Sequence, residues 1–253
     1  MKVLVTFALE QEFAPWRRLR RFEEMVRAEA WAPERFESRL GDSRIRVVLT
    51  GMGWEHARTA ALYALADDYD VCISSGFAGA LAPAHRCGDV LASQSVGAER
   101  TAKAITCDRE MVILAAEQGA AAVERFVCTR QLAAAPAEKA GLAAFGDAVE
   151  MESFPILSTS SAAGVRSVAI RAVSDEADFA MPFDFMRSAD SRGGVRLRGV
   201  LGELARKPGK LPQLIRLGKN SRLASERLAE FLERYLAAGV ASAFRTPERA
   251  VLA

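Results

Sequence analysis

Ala148-Val149-Glu150-Met151-Glu152-Ser153 and, further along, Val168-Ala169-Ile170-Arg171-Ala172-Val173-Ser174-Asp175-Glu176-Ala177-Asp178 decide how this chain reads. Each is a short apolar run that ends in carboxylates, the pattern of a buried strand that delivers an acid at its end. Two acids at the same end of neighbouring strands can meet across one pocket although they are far apart in sequence. Such a pair suits sugar-ring chemistry. One carboxylate holds ribose hydroxyls and the other works beside the leaving group.

Outward from these runs, short apolar segments alternate with helical patterns. Lys2–Phe7 predicts a first strand, followed by a helix from Glu10 to about Glu29. Arg44–Thr50 alternates and then turns apolar, as a strand does, and Gly51-Met52-Gly53 breaks it. A helix is expected from Trp54 to about Ala66. Asp70–Ser74 is expected to be a buried strand that ends in a Gly-rich turn, Ser75-Gly76-Phe77-Ala78-Gly79. Further strands are expected at Asp89–Val96, Ala122–Cys128, Ala148–Met151 and Val168–Val173. Helices are expected from Pro136, which suits a first helical turn, and from Glu152 to about Gly164. Strands alternating with helices predict an α/β fold, a sheet sandwiched by helices, with its pocket at the carboxyl ends of the strands. Glu10 and Glu12, Gly51–Gly53, Ser75–Gly79 and both acidic motifs fall at such ends.

The chain has 253 residues, half of them hydrophobic, and a formal charge of +2. One domain over residues 1–253 is expected, with a large core. Near-balanced charge gives no sign of a nucleic-acid partner. No apolar run reaches the roughly 18 residues of a membrane span, and the first apolar stretch is too short for a signal peptide. The four cysteines form no CxxC pair, so free thiols in a cytoplasmic protein are the expectation. With only His56 and His85, a His-rich metal site is not expected. The part from about residue 190 is basic and helical. Arg206, Lys207, Lys210, Arg216, Lys219 and Arg222 fall between Leu204 and Leu223 with no acid among them. This stretch reads either as a surface that meets anionic lipid or as a solvated or oligomer-contact face. An amphipathic helix is expected from Ser221 to about Ala238.

Four blocks in order carry a resemblance to a known family. They are Ala8-Leu9-Glu10-Gln11-Glu12; Ser75-Gly76-Phe77-Ala78-Gly79-Ala80-Leu81-Ala82-Pro83 with Gly88-Asp89-Val90; Ala148-Val149-Glu150-Met151-Glu152; and Arg171 to Asp178. The chain resembles the nucleoside phosphorylase and nucleosidase superfamily, in particular 5′-methylthioadenosine/S-adenosylhomocysteine nucleosidases, from Met1 to about Asp178. The tail Leu204–Gly218 is similar to a hopanoid-associated branch that acts on adenosylhopane. The resemblance implies a three-layer α/β/α fold with a central mixed, partly barrel-like sheet. It also implies a homo-oligomer.

It further implies roles. Asp175 protonates or hydrogen-bonds the purine N7, positioned by Ser174. Glu152 grips the ribose hydroxyls, with Met151 packed on the sugar. Glu12 activates the attacking water, and Arg171 helps hold the nucleophile. Gly53, Phe77, Ala78 and Gly79 lie against the substrate. Plain structural readings stand beside these: a turn aspartate at 175, first-turn helix acids at 12 and 152, a structural ion pair at 171. Two departures from the family are visible. Phe77 replaces a serine whose hydroxyl contacts the water. Thr129-Arg130-Gln131-Leu132 and the alanines after it replace a longer segment whose phenylalanine stacks on adenine. Leu132, Phe179 or Phe183 could supply that apolar wall.

The implied reaction is cleavage of a purine nucleoside that carries a 5′ substituent. The first loop holds two carboxylates and no arginine, which favours water over phosphate as the nucleophile and no cofactor. Phosphorolysis with phosphate as co-substrate, the adenosylhopane-type reaction and a non-catalytic nucleoside-binding protein are the alternatives.

Overall fold

The computed structural model describes residues 1–27, 29–99, 101, 103–183 and 197–241. The basic part expected from about residue 190 is therefore seen from Leu197, and the earlier residues of that stretch lie outside the described ones. The first half contains β1 (Lys2–Phe7), α1 (Glu10–Leu19), β2 (Glu23–Glu24), β3 (Glu34–Leu40), β4 (Ser43–Leu49), α2 (Trp54–Ala64), β5 (Val71–Ala80) and β6 (Val90–Ala98). Next come β7 (Ala104–Thr106), α3 (Arg109–Glu117), β8 (Ala121–Cys128), α4 (Pro136–Leu142), β9 (Ala148–Glu150), α5 (Ser153–Ala162) and β10 (Arg166–Asp175). α6 (Leu197–Arg206) and α7 (Leu211–Ala241) follow, with a 3₁₀ turn at Pro208–Lys210 between them.

All ten strands among the described residues join one mixed sheet, ordered β10-β6-β8-β9-β5-β1-β4-β3-β2, with β7 paired to β6. β10 also pairs with β5, so β5, β10, β6, β8 and β9 close into a five-stranded barrel. Closure leaves these strands without a free edge, so the backbone around the site is rigid. β5 and β10 are buried throughout except at Phe77 and Arg166, as interior strands require. α2 and α5 pack together, and α1 and α3 pack on α7, which itself lies against β10, β5 and β6. The α1–α7 contact is fixed by Trp16, whose indole N–H donates to Glu233 at 2.9 Å, and by the Arg20–Glu233 ion pair. No helix among the described residues is long and apolar enough to cross a membrane.

Four expectations change. β9 and β10 are not neighbours; they flank β5 on opposite sides, β9 antiparallel to it and β10 parallel. Their acids meet because both strands pass the second half of β5. The Ser75–Gly79 segment is not a turn but continues β5, paired with β10 through Gly79. Its glycines serve close packing instead. α1 stops at Leu19, since Arg20 takes an extended conformation and the chain turns into β2. This turn puts the Phe22 ring 5.0 Å from Phe13 and 5.0 Å from Trp16. That burial outweighs the helical propensity of the following residues. Finally, α7 starts ten residues before the expected Ser221, at Leu211.

Candidate active site

A cavity of about 490 Å³ opens where β1, β4, β5, β9 and β10 end or pass, and α7 covers it. Its charged lining residues, among those described, are Glu12, Glu150, Glu152 and Asp175. Ala8, Leu9, Met52, Phe77, Leu132, Val149, Met151 and Met181 supply most of the apolar surface, with Leu214 and Leu217 from α7. A smaller cavity of about 310 Å³ adjoins it and shares Thr129, Leu132 and Ala133.

Glu12 faces this cavity because α1 buries the face that carries Phe13 and Trp16, and Glu12 lies on that face. Glu10 lies outside it and pairs with Arg17 at 3.3 Å. Glu12 Oε2 accepts from the Ala8 and Leu9 N–H groups at 2.8 and 3.0 Å, which caps the helix. Its Oε1 accepts from the Phe77 N–H at 2.9 Å. Burial pushes the Glu12 carboxyl above its ordinary range, against the pull of Arg171 and the three backbone N–H groups. Thus Glu12 both caps α1 and lines the cavity. The Phe77 departure also acquires a physical sense: its backbone N–H, not its side chain, addresses Glu12.

Glu152 Oε1 accepts from the Gly53 N–H at 2.8 Å, which joins the Gly51–Gly53 turn to the acidic motif. Burial raises its carboxyl to about 7, with Arg171 opposing and the Glu150 and Glu12 charges adding to the rise. The sign of the linkage follows. A carboxyl held at about 7 when folded and at 4.5 when unfolded binds its proton more tightly in the native state, so stability from this group is full below 4.5 and lost as pH rises through about 7. Glu152→Gln cannot ionise. Its stability relative to wild type is therefore expected to rise between pH 4.5 and 7, by at most about 3 kcal/mol, read by denaturant unfolding across that range. A pH-independent difference between the two proteins contradicts this.

Arg171 lies beneath the cavity rather than in its lining and is fully buried. Its Nη2 donates to Glu150 at 2.6 Å and to Ser153 Oγ at 2.9 Å, and its Nη1 lies 3.5 Å from Glu152. Glu150 also accepts the Glu152 and Ser153 N–H groups at 2.9 and 2.7 Å. One guanidinium therefore sets three carboxylates, Glu12, Glu150 and Glu152, and acts through them. Gly76 lets it do so. At φ +134°, a Cβ there would lie 2.7 Å from Arg171 Nη1 and 2.9 Å from Glu12 Oε1, both pinned by burial. Gly76→Ala is expected to cost about 1–3 kcal/mol of stability from overpacking, more with backbone strain, and to displace Glu12. Thermal unfolding checks it; an unchanged melting temperature contradicts the close approach.

Asp175 ends β10 opposite Gly79, whose missing Cβ leaves room for the carboxylate. Its Oδ1 accepts from Ser174 Oγ at 2.7 Å. Its Oδ2 pairs with Lys139, a side chain 1% exposed. Of the residues singled out in the sequence, Glu12, Met151, Glu152, Ser174, Asp175, Phe77, Ala78 and Gly79 come together around the cavity. Gly53 and Arg171 touch it through Glu152. For the apolar wall, Leu132 lines the cavity, whereas Phe179 and Phe183 are buried outside the lining. Sequence reasoning left Lys139 and Glu150 without roles. The signal for Lys139 was its position three residues before Leu142 on the buried face of a short helix.

A family model described as the phosphorylase superfamily matches residues 2–237. No curated protein is significantly similar in sequence. Among solved structures, the futalosine hydrolase of Helicobacter pylori superposes with a TM-score of 0.72 at 17% identity, over 94% of this chain and 98% of that one. The H. pylori 5′-methylthioadenosine/S-adenosylhomocysteine nucleosidase, with butyl-thio-DADMe-Immucillin-A, gives 0.72 at 19%, over 94% and 98%. The Neisseria meningitidis nucleosidase, with methylthio-immucillin-A, gives 0.69 at 20%, over 94% and 99%. At these identities the likeness is one of fold.

Proposed function

The chain belongs to the phosphorylase superfamily, and from that premise we propose that it hydrolyses the N-glycosidic bond of a purine nucleoside bearing an apolar 5′ substituent. The observation that carries this reading is the convergence of Glu12, Glu152 and Asp175 on one cavity whose described charged lining is entirely carboxylate. Glu152 takes the 2′ and 3′ hydroxyls of the ribose, held in place by the Gly53 N–H, while Met151 packs on the sugar. Its negative charge also favours the cationic sugar that forms as the bond breaks. Asp175, set by Ser174, addresses N7 of the departing base and improves it as a leaving group. Glu12, raised by burial, accepts the proton of the attacking water.

Hydrolysis is favoured over phosphorolysis because phosphate would approach four acids with no arginine or lysine among the described lining residues. Like charges about 4 Å apart repel by roughly 4 kcal/mol at an effective dielectric of 20. Leu214 and Leu217 of α7 supply the apolar wall for the 5′ side. That wall also suits substituents larger than methylthio. The solved nucleosidases of this fold support the reaction class, since two of them hold analogues of 5′-thio-substituted nucleosides.

The test is a panel of adenosine, inosine, 5′-methylthioadenosine and 5′-alkylthioadenosines of increasing chain length, scored for free base. Cleavage of 5′-substituted adenosines in preference to adenosine is the expected result. Binding of adenine analogues without release of base from any member favours a non-catalytic nucleoside-binding protein and overturns the reading.

A further inference from the structure

Lys139 is an ammonium placed behind the acid that meets the base. It projects from the buried face of α4, and its Nζ donates to Asp175 Oδ2 and, at 2.7 Å, to the carbonyl oxygen of Glu176. It is 1% exposed and is not among the lining residues, so it reaches a bound nucleoside only through Asp175. The other charges nearby, among the described residues, are engaged elsewhere. The Glu176 carboxylate turns to Arg216 at 3.5 Å and Arg86 at 3.8 Å, and Glu138 on α4 caps the Ala135 N–H at 2.9 Å. Asp175 is thus the carboxylate that answers Lys139, and its second oxygen already accepts the Ser174 hydroxyl. A carboxylate engaged at both oxygens by donors carries no proton of its own for a leaving base. The ammonium behind it does.

We propose that Lys139 supplies, through Asp175, the proton that the departing purine takes up; this rests on the nucleosidase reading above. In the step, the bond between C1′ and N9 breaks and its electron pair goes to the purine. N7 takes a proton from the Asp175 carboxyl, which takes one from Lys139 Nζ, leaving a neutral amine. Water forms the new bond to C1′ and gives its proton to Glu12. After the products leave, Glu12 loses that proton to solvent and Lys139 regains one through Asp175 and the water that refills the cavity. Lys139 is a positioning and proton-holding residue that works through Asp175.

The experiment compares 5′-methylthioadenosine with p-nitrophenyl β-D-riboside, whose leaving group departs without a proton. The proteins are wild type, Lys139→Met and Lys139→Arg, the last keeping charge and donors but not releasing its proton. Both variants are expected to lose about 10²-fold in kcat on the purine substrate and to stay within about threefold on the p-nitrophenyl riboside. Thermal unfolding is followed in parallel. Equal losses on both substrates, or a wild-type purine rate in Lys139→Arg, overturns the inference. Wild-type protein that cleaves neither substrate overturns the nucleosidase reading and this inference with it.

Discussion

Under the proposed hydrolysis, Asp175→Asn is expected to lower kcat for purine release by about 10⁴-fold and to leave KM within about threefold, because the loss would fall on the transition state rather than on ground-state binding. Asparagine keeps the shape of the side chain and its contact with Ser174, but it cannot pass a proton to N7. The substitution also strips a buried ammonium of its partner, since Lys139 pairs with Asp175 at the base of the cavity. Removing one member of a buried pair costs about 3–5 kcal/mol of stability. The rate is therefore measured by single-turnover kinetics on protein shown to be folded by its unfolding transition. A folded Asp175→Asn protein that retains a tenth or more of the wild-type rate takes Asp175 out of the chemistry.

Glu12→Gln is expected to lower kcat by about 10³-fold, the range for removal of a general base for water. The expected effect on binding is small, because in the proposed function Glu152 and Met151 hold the sugar. Glutamine retains one oxygen to accept from the Phe77 N–H or the α1 cap, but not both sets of donors, and it takes one of three carboxylates from Arg171. A nucleophile that needs no base separates the chemical loss from the structural one. With azide added, Glu12→Gln is expected to recover part of its rate and to form the ribosyl azide. Recovery of nothing, with a normal unfolding transition, takes Glu12 out of the water-activating role.

The sequence carried the fold class because its apolar runs are long enough and its acids regular enough to mark strand ends. Lys2–Phe7 and the run into Asp175 are largely apolar segments, and burial on both faces demands that pattern, whereas β8 is continuously buried only over Phe126–Cys128. β3 escaped notice because Glu34–Leu40 has mostly partly exposed positions and a polar composition that a pattern of burial does not pick out. The direction of β9 was also hidden. Nothing within Ala148–Glu150 distinguishes a strand parallel to β5 from one antiparallel to it, and barrel closure is a property of the whole sheet. In the site, Glu152 and Asp175 were visible as carboxylates after apolar runs. Arg171 was visible, but its depth was not: its five N–H groups are met by Glu150, Glu152, Ser153, Ser74 and the Phe77 carbonyl, which lie on two separate stretches of chain. Lys139 was the least legible of all, because a lysine on a helix reads as a surface residue until its ammonium is seen to meet Asp175 at the end of β10.

The most direct measurement for the account as a whole follows the oxygen that ends on the sugar. Cleavage of 5′-methylthioadenosine in water enriched in oxygen-18, with and without phosphate, is analysed by mass spectrometry of the sugar product. The account predicts the same rate of adenine release in both cases and one heavy oxygen at C1 of the free sugar. Release of adenine that requires phosphate, with a sugar 1-phosphate as product, contradicts it.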